Sequence, residues 1–497
     1  MEKFIYYLNL FVLLISCSSN QSLSSECSHE IVIDKEIAAT CFEDGLTQGS
    51  HCKKCQEIII PQKVIPRGHH FNLEKICITS DHGIEKEARF YCHDCQNVEF
   101  RTLKCTDINM PILDIEGSLK DVSKENKVKV RVKYENQYGL SFDSFCTFKV
   151  QGSSSAGYPK KNYNIQFLDE EGNKKKVLIN EDWGKQSKYC LKANWIDFSQ
   201  SRNVVSAKIY GQIVHSRDIK DDFSSLVNGG AIDGFPILIY NDGTFLGLYT
   251  LNIPKDKWLF NMSREDIRQG ILMADDWTDS VFLKENVKYD FSNGWDNEYC
   301  STENSIGSKW MVDSFNDLIT FINTSTDEEF KKGINQYVNV PRSIDSLIYT
   351  YFILGGDNLS KNILWVTYDG IKWTPSMYDL DSTWGLQYDG LNYNKYDDIT
   401  IDKCDFYWNR NILWERLYHL FKDQVKTRYF DLRKQILTYE NINESFSSFI
   451  KFIPDIVYET DSLRWEDIPS KETNNLKQIQ EFCNYRLTLF DKIMEEI

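Results

Sequence analysis

Through Val128–Tyr134 apolar and polar residues alternate strictly, with Lys or Arg between β-branched and aromatic side chains. A period of two is that of a strand with one face turned to a core. Cys146–Val150 and the segment 163–168 also read as strands. The period lengthens at 201–214, where Val204, Val205, Ile209, Ile213 and Val214 mark a helix. Further helices are predicted over 310–323, 343–355, 411–422 and 474–494, so the chain is strand-rich to about residue 255 and mainly helical beyond it.

One helix leads directly to candidate chemistry. Ile344, Leu347, Ile348, Tyr351 and Phe352 form an apolar stripe that Gly355-Gly356 is expected to terminate, which delivers Asp357 onto a loop. Asn362 follows five residues later. Protein kinases use that spacing, with the aspartate taking the substrate hydroxyl's proton and the asparagine binding magnesium. Next, Ile363–Tyr368 and Ile371–Tyr378 flank Asp369-Gly370, a strong signal for a two-residue type I′ hairpin turn. Pairing Tyr368 with Ile371 sets Asp379 opposite Ser360, at the hairpin's open end, close to Asp357 and Asn362. Asp381 lies just beyond. Hard oxygen ligands converging at one end of a hairpin suit magnesium, although surface acidic clusters also occur without a metal.

Two other segments could meet phosphate. Gly152, Ser153, Ser154 and Ser155 lie between two strands and are followed by Lys160 and Lys161, so backbone amides, hydroxyls and ammonium groups could approach phosphate oxygens. A Gly/Ser/Pro hairpin loop is the plain alternative. Arg202 sits on the first turn of the 201–214 helix, where it could orient a phosphate or pair with a carboxylate.

The N-terminal region has a different composition. Phe4–Ile15 is an apolar run too short to span a bilayer comfortably and reads as a signal-peptide core. It ends in Leu14-Ile15-Ser16-Cys17, which resembles a lipobox, so 1–17 is expected to be a signal peptide with Cys17 lipidated and 18–26 a linker; an ordinary secretory signal is the alternative. Any membrane attachment is expected at this end alone. Nine of the 14 cysteines precede residue 106, and six of the eight histidines lie among them: His29, His51, His69, His70, His82 and His93. In 27–105, Cys41 precedes Cys52-Lys-Lys-Cys55 and Cys77 precedes Cys92-His-Asp-Cys95, a degenerate duplication. Paired Cys-x-x-Cys segments with histidines suit Zn2+, and in an exported chain they equally suit disulfides. The formal net charge of −16 excludes nucleic acid as an expected partner, because an acidic surface repels phosphate backbones.

Taken together, these motifs resemble the CotH (spore coat protein H) kinase family. The resemblance runs through Gly152-Ser-Ser-Ser-Ala-Gly-Tyr-Pro-Lys-Lys-Asn-Tyr-Asn-Ile-Gln-Phe167, Tyr189-Cys-Leu-Lys-Ala-Asn194 to Ser201-Arg-Asn203, the hairpin Phe235–Tyr249 ending in Gly-x-Tyr, and Met377–Gly385. The stretch from Cys27 to the Ile65-Pro-Arg-Gly-His segment resembles a small Cys/His repeat of surface proteins of gut bacteria and some protists, which suggests a spacer or binding module. The resemblance implies an α+β class with an atypical protein-kinase-like, two-lobed domain over 110–497, preceded by small Cys/His-rich modules. It implies ATP and Mg2+ or Mn2+ as cofactors, and Ser/Thr of secreted or surface proteins as acceptors, on an exported or cell-surface chain. By position, Asp357 would be catalytic and Asp379 the principal metal ligand, assisted by Asn362 and Asp381. Lys160 or Lys161 would hold the phosphates. One departure stands out: Ile253 occupies the position where many members carry a glutamate ahead of a lysine. The rival reading is a non-catalytic surface adhesion protein.

Overall fold

The computed structural model describes residues 27–69, 71–72, 86–92, 94–95, 97–103, 109–262, 268–274, 282, 288–289, 295–301, 309–359, 361–391, 411–469, 471 and 475–497. The signal-peptide, lipobox and linker expectations for 1–26, and Ser360, Cys77, Cys105, Cys404, His70, His82 and His93, lie outside these residues. Among the described residues no helix is long and apolar enough to cross a membrane. The chain divides into a small unit, Met1–Phe71 with Cys92–Val98, and a large one, Asn72–Tyr91 with Glu99–Ile497.

In the small unit, strands Ile31–Asp34, Gly49–Cys52 and Ile58–Ile60 form an antiparallel sheet. Its faces are thinly covered: Ile31, Ile33, Ile58 and Ile60 are exposed. Among its described residues the buried apolar side chains are Cys41, Cys52 and Cys92.

The large unit is built around a closed seven-stranded barrel. Its strands are β1 (Ile112–Glu116), β2 (Val128–Glu135), β3 (Ser141–Gln151), β4 (Asn162–Leu168), β5 (Lys188–Lys192), β6 (Gly234–Asn241) and β7 (Thr244–Asn252). The alternation that marked β2 is the reason it closes: Val130, Val132 and Tyr134 turn inward while Lys129, Arg131 and Lys133 face solvent. β1 completes the barrel by pairing antiparallel with β2 and parallel with β6. A second, four-stranded sheet has the order β9–β8–β10–β11, with β8 Gly270–Ala274, β9 Trp295–Cys300, β10 Ile363–Thr367 and β11 Trp373–Met377.

The described helices are α1 (Arg202–His215), α2 (Lys309–Thr324), α3 (Asp327–Gly333), α4 (Val340–Phe352), α5 (Ile412–Leu420), α6 (Lys422–Arg433), α7 (Tyr439–Phe452), α8 (Asp455–Arg464) and α9 (Leu476–Glu496). The expected helix over 411–422 is thus the start of a pair, α5 and α6. α1 is buried on nearly every side and packs against α4 and α7.

This architecture corrects one expectation. The α+β class stands, but the two-lobed, protein-kinase-like arrangement does not, because the β-rich half is a barrel without an open edge. One continuous hydrophobic cluster also runs from Leu113 in β1 to Met494 in α9. A chain whose barrel and helices share one core has no apolar gap at which to separate into lobes.

Candidate active site

The hairpin β10–β11 is present, but with a longer turn than the sequence suggested. Thr367 pairs with Trp373 and Ile363 with Met377, a register one residue away from that of a two-residue turn. Asp369 is the cause. Its Oδ1 accepts hydrogen bonds from the backbone N–H of Ile371 and Lys372, both at 2.8 Å, and Thr367 Oγ1 accepts from Gly370 N–H. These bonds stabilise a wider loop than a type I′ turn. Continuing the observed register sets Asp379 beside Lys361, not Ser360.

The open end of the hairpin is fixed by side-chain bonds. Tyr378 N–H donates to Asn362 O, and Asn358 Nδ2 donates to both Asn362 O (3.1 Å) and Tyr378 O (2.8 Å). α4 ends at Phe352, earlier than its glycines suggested, and Leu354 at φ 53° carries the reversal. Asp357 then lies in a short 3₁₀ turn, Asp357–Leu359, with its Oδ2 3.5 Å from Asn362 Nδ2. Asn362 and Asp379 both hold left-handed backbone, at φ 55° and 53°. Asn and Asp bear this conformation better than most residues, and its concentration at one spot is typical of functional sites.

A cleft of about 460 Å³ opens here. It is lined by Asp357, Asn362, Asp379 and Asp381 from the hairpin end and by Gly152, Ser153, Ser154 and Ser155 from the β3–β4 loop. That loop contains the 3₁₀ turn Ser154–Gly157, and Gly152 at φ 116° opens it. Gln151 Nε2 reaches Tyr378 Oη at 3.4 Å, joining loop stem to hairpin.

Neither of the two lysines expected at phosphate presents its ammonium to these carboxylates. Lys160 Nζ is fully buried, donating to Asp461 Oδ2 (2.8 Å) and Leu248 O (2.5 Å). Tyr249 lies beneath it at 4.9 Å, and a Cβ on Gly247 would come within 2.9 Å of both Lys160 Cε and Asp461 Oδ1. The Gly-x-Tyr motif therefore houses a buried ion pair. Lys161 Nζ donates to Ala156 O and braces the serine loop from within. Lys160 nonetheless lines the cleft, whereas Arg202 does not: it is fully buried, binding Asp197 Oδ1 (2.7 Å), Thr383 O (3.0 Å) and Gln478 Oε1 (2.6 Å).

The residue that sequence reasoning missed is Lys192, at the end of β5. Its Nζ is 3.6 Å from Asp379 Oδ1, and Asn203 Nδ2 approaches the same oxygen at 3.4 Å. A lysine closing the buried run Tyr189-Cys190-Leu191 was the available signal, since a buried strand seldom ends on an ammonium without a partner. Burial works against the Lys192 charge, but Asp379, Tyr378 and Asp381 hold its pKa above the ordinary lysine value. Burial and Asp379 push the Asp381 carboxyl well above the usual range, Asp357 adds to this, and Lys192 opposes it. Asp357, Asp379, Asp381 and the Asn362 amide gather hard oxygen donors at one end of the cleft, which fits a divalent cation such as magnesium.

Lys255, two residues after Ile253, also lines the cleft. Ile253 is buried in the core. The acid that Lys255 meets comes from β9: Glu298 Oε1 lies 2.5 Å from its Nζ.

Elsewhere, in the small unit, two groups of side chains could hold a metal ion: Cys27, His29, Cys52 and Cys55, and Cys41, His69, Cys92 and Cys95.

The profile of the family described as CotH kinase protein matches residues 148–490, which takes in Asp357, Asn362, Asp379, Asp381, Lys192 and the Gly152–Ser155 loop. None of the curated proteins matches the chain.

Proposed function

The chain belongs to the CotH kinase family, and from that premise we propose that its cleft transfers the γ-phosphoryl group of ATP to a serine or threonine hydroxyl. The observation that carries this reading is that Asp357, Asn362, Asp379 and Asp381 share one cleft with the Gly152–Ser155 loop and with Lys192. Asp357 accepts the proton of the acceptor hydroxyl. The hydroxyl oxygen bonds to the γ-phosphorus as the bond to the β–γ bridging oxygen breaks, and ADP departs. Asp379, Asp381 and Asn362 would hold magnesium or manganese, which when bound would supply charge neutralisation on the phosphates. Lys192 fixes Asp379 and adds a positive charge within reach of phosphate oxygens. The serine loop offers backbone amides and hydroxyls to the remaining oxygens.

The acceptors proposed are secreted or surface proteins, a reading supported by the Phe4–Ile15 apolar run and Cys17. Calorimetric titration of ATP tests the nucleotide site. Wild type is expected to bind only with magnesium or manganese present, and Asp379→Asn to lose that metal-supported binding. Binding that is indifferent to both metal and Asp379 would overturn the reading.

A further inference from the structure

The small unit lacks the apolar core that a domain of its size needs, since its buried apolar side chains among the described residues are three cysteines. Small domains without a core are held by disulfides or by a metal. The arrangement of its cysteines decides between the two.

Each Cys/His group contains three sulfurs and one imidazole, with all four ligand atoms within 4.8 Å of one another. Three thiols cannot pair off among themselves: a disulfide within either group would strand one cysteine and leave its histidine without a purpose. Three thiolates and one neutral imidazole saturate a tetrahedral zinc ion. The separations have the right size. A tetrahedral ion at about 2.3 Å from sulfur and about 2.0 Å from nitrogen spaces two sulfurs about 3.8 Å apart and sulfur from nitrogen about 3.5 Å. Cys27 and Cys52 Sγ are 3.8 Å apart, and Cys41 and Cys92 Sγ 3.4 Å. Cys55 Sγ lies 3.5 Å from His29 Nδ1, and Cys95 Sγ 3.2 Å from His69 Nδ1.

The surroundings repeat as well. The second cysteine of each Cys-x-x-Cys lies 26 residues beyond its histidine. The backbone amides of Lys54 and Cys55 favour the Cys52 thiolate, and those of Asp94 and Cys95 favour the Cys92 thiolate. Cys52 N–H donates to Glu57 O and Cys92 N–H to Asn97 O. The outward ring nitrogen of each histidine meets the side chain of the same residue: His29 Nε2 is 3.6 Å from Glu57 Oε2, and His69 Nε2 is 3.3 Å from the Asn97 amide. A ligating imidazole characteristically has such a partner on its other nitrogen.

The duplication breaks at the fourth ligand. Cys27 precedes His29 by two positions, but Arg67 occupies the corresponding place before His69. The second group takes Cys41 instead, from within the first copy.

We propose that the small unit binds two structural zinc ions, one on Cys27, His29 Nδ1, Cys52 and Cys55 and one on Cys41, His69 Nδ1, Cys92 and Cys95. Cys41 thereby ties the two copies of the repeat together. Four protein ligands per ion leave no open position, so these are sites for folding and not for catalysis.

The test is elemental analysis of the full-length protein purified without chelator, combined with thiol mapping by mass spectrometry under non-reducing conditions. Wild type is expected to carry two zinc ions per chain, with the six ligand cysteines alkylated only after chelation and denaturation. Cys41→Ser is expected to carry one ion and to leave Cys27, Cys52 and Cys55 protected. Cobalt substitution of the wild type supplies a readout should that variant fail to fold: two cobalt ions per chain with thiolate charge-transfer bands are expected. Zinc-free protein whose six cysteines map as disulfides, or Cys41→Ser protein that keeps two ions, would overturn the assignment. Neither readout depends on phosphoryl transfer.

Discussion

Lys192 Nζ stands 3.6 Å from Asp379 Oδ1, and Asn203 Nδ2 shares that oxygen. The pair joins the last residue of a barrel strand to the open end of a hairpin in the other sheet, so it sets the carboxylate's position and supplies the cation nearest to it. Lys192→Met is expected to lower the rate of phosphoryl transfer by roughly 10²–10³-fold, the usual cost of losing one charge-stabilising group. Lys161→Met, which removes only a brace on Ala156 O, is expected to change the rate by less than about threefold. Steady-state rates for the two variants check this ranking.

Asp381 predicts a pH dependence. Burial and Asp379 raise its folded-state pKa well above the carboxylate range. A raised value means that the folded protein keeps a proton the unfolded chain has released. Stability from this group is therefore fully present below the unfolded value of about 3.9 and is lost as pH rises through the folded value. Metal-free Asp381→Asn is expected to show a flatter decline than wild type as pH rises from the unfolded to the folded value. Magnesium is expected to stabilise wild type more as pH rises, because binding requires the carboxylate. Thermal unfolding of both proteins at several pH values, with and without magnesium, gives both slopes.

Lys160 and Asp461 form an ion pair with both side chains essentially buried, and a structural role is expected for it. Asp461→Ala leaves an ammonium in the interior and is expected to cost about 3–5 kcal/mol, read from the denaturation midpoint. Were Lys160 instead a phosphate ligand released from Asp461, the variant would keep its stability and lose affinity for ATP.

Much of this site was legible because it is local. Asp357, Asn362, Asp379 and Asp381 lie within one helix–hairpin segment, where a strand period of two brings the ends together whatever the precise turn. The register was misplaced by one residue because the side chain of Asp369, not its backbone propensity, shapes the loop. What escaped the sequence was set at long range. Lys160 finds Asp461 301 residues away, and β1 closes the barrel against β6 across more than a hundred residues. The Asp197–Arg202 pair is local, yet its burial under Thr383 and Gln478 is not. Helix α1 kept its predicted place, while its complete enclosure depended on elements with no local signature.

Glu298 offers a test of the acid missing at Ile253. It lies against Lys255 at 2.5 Å, and both line the cleft. If this pair positions Lys255 for nucleotide, Glu298→Gln is expected to raise the KM for ATP about tenfold, equivalent to about 1.4 kcal/mol, with a smaller change in kcat. Unchanged kinetics would assign the pair to packing alone.

The decisive measurement is transfer of radiolabel from γ-labelled ATP to a serine-rich protein acceptor, with magnesium or manganese, by purified wild type and by Asp357→Ala. Wild type is expected to label serine or threonine in the acceptor, and Asp357→Ala to fall to background while remaining folded. Labelling that survives Asp357→Ala would contradict the assignment of that carboxylate as the proton acceptor, and no labelling by folded, nucleotide-bound wild type would contradict phosphoryl transfer to protein.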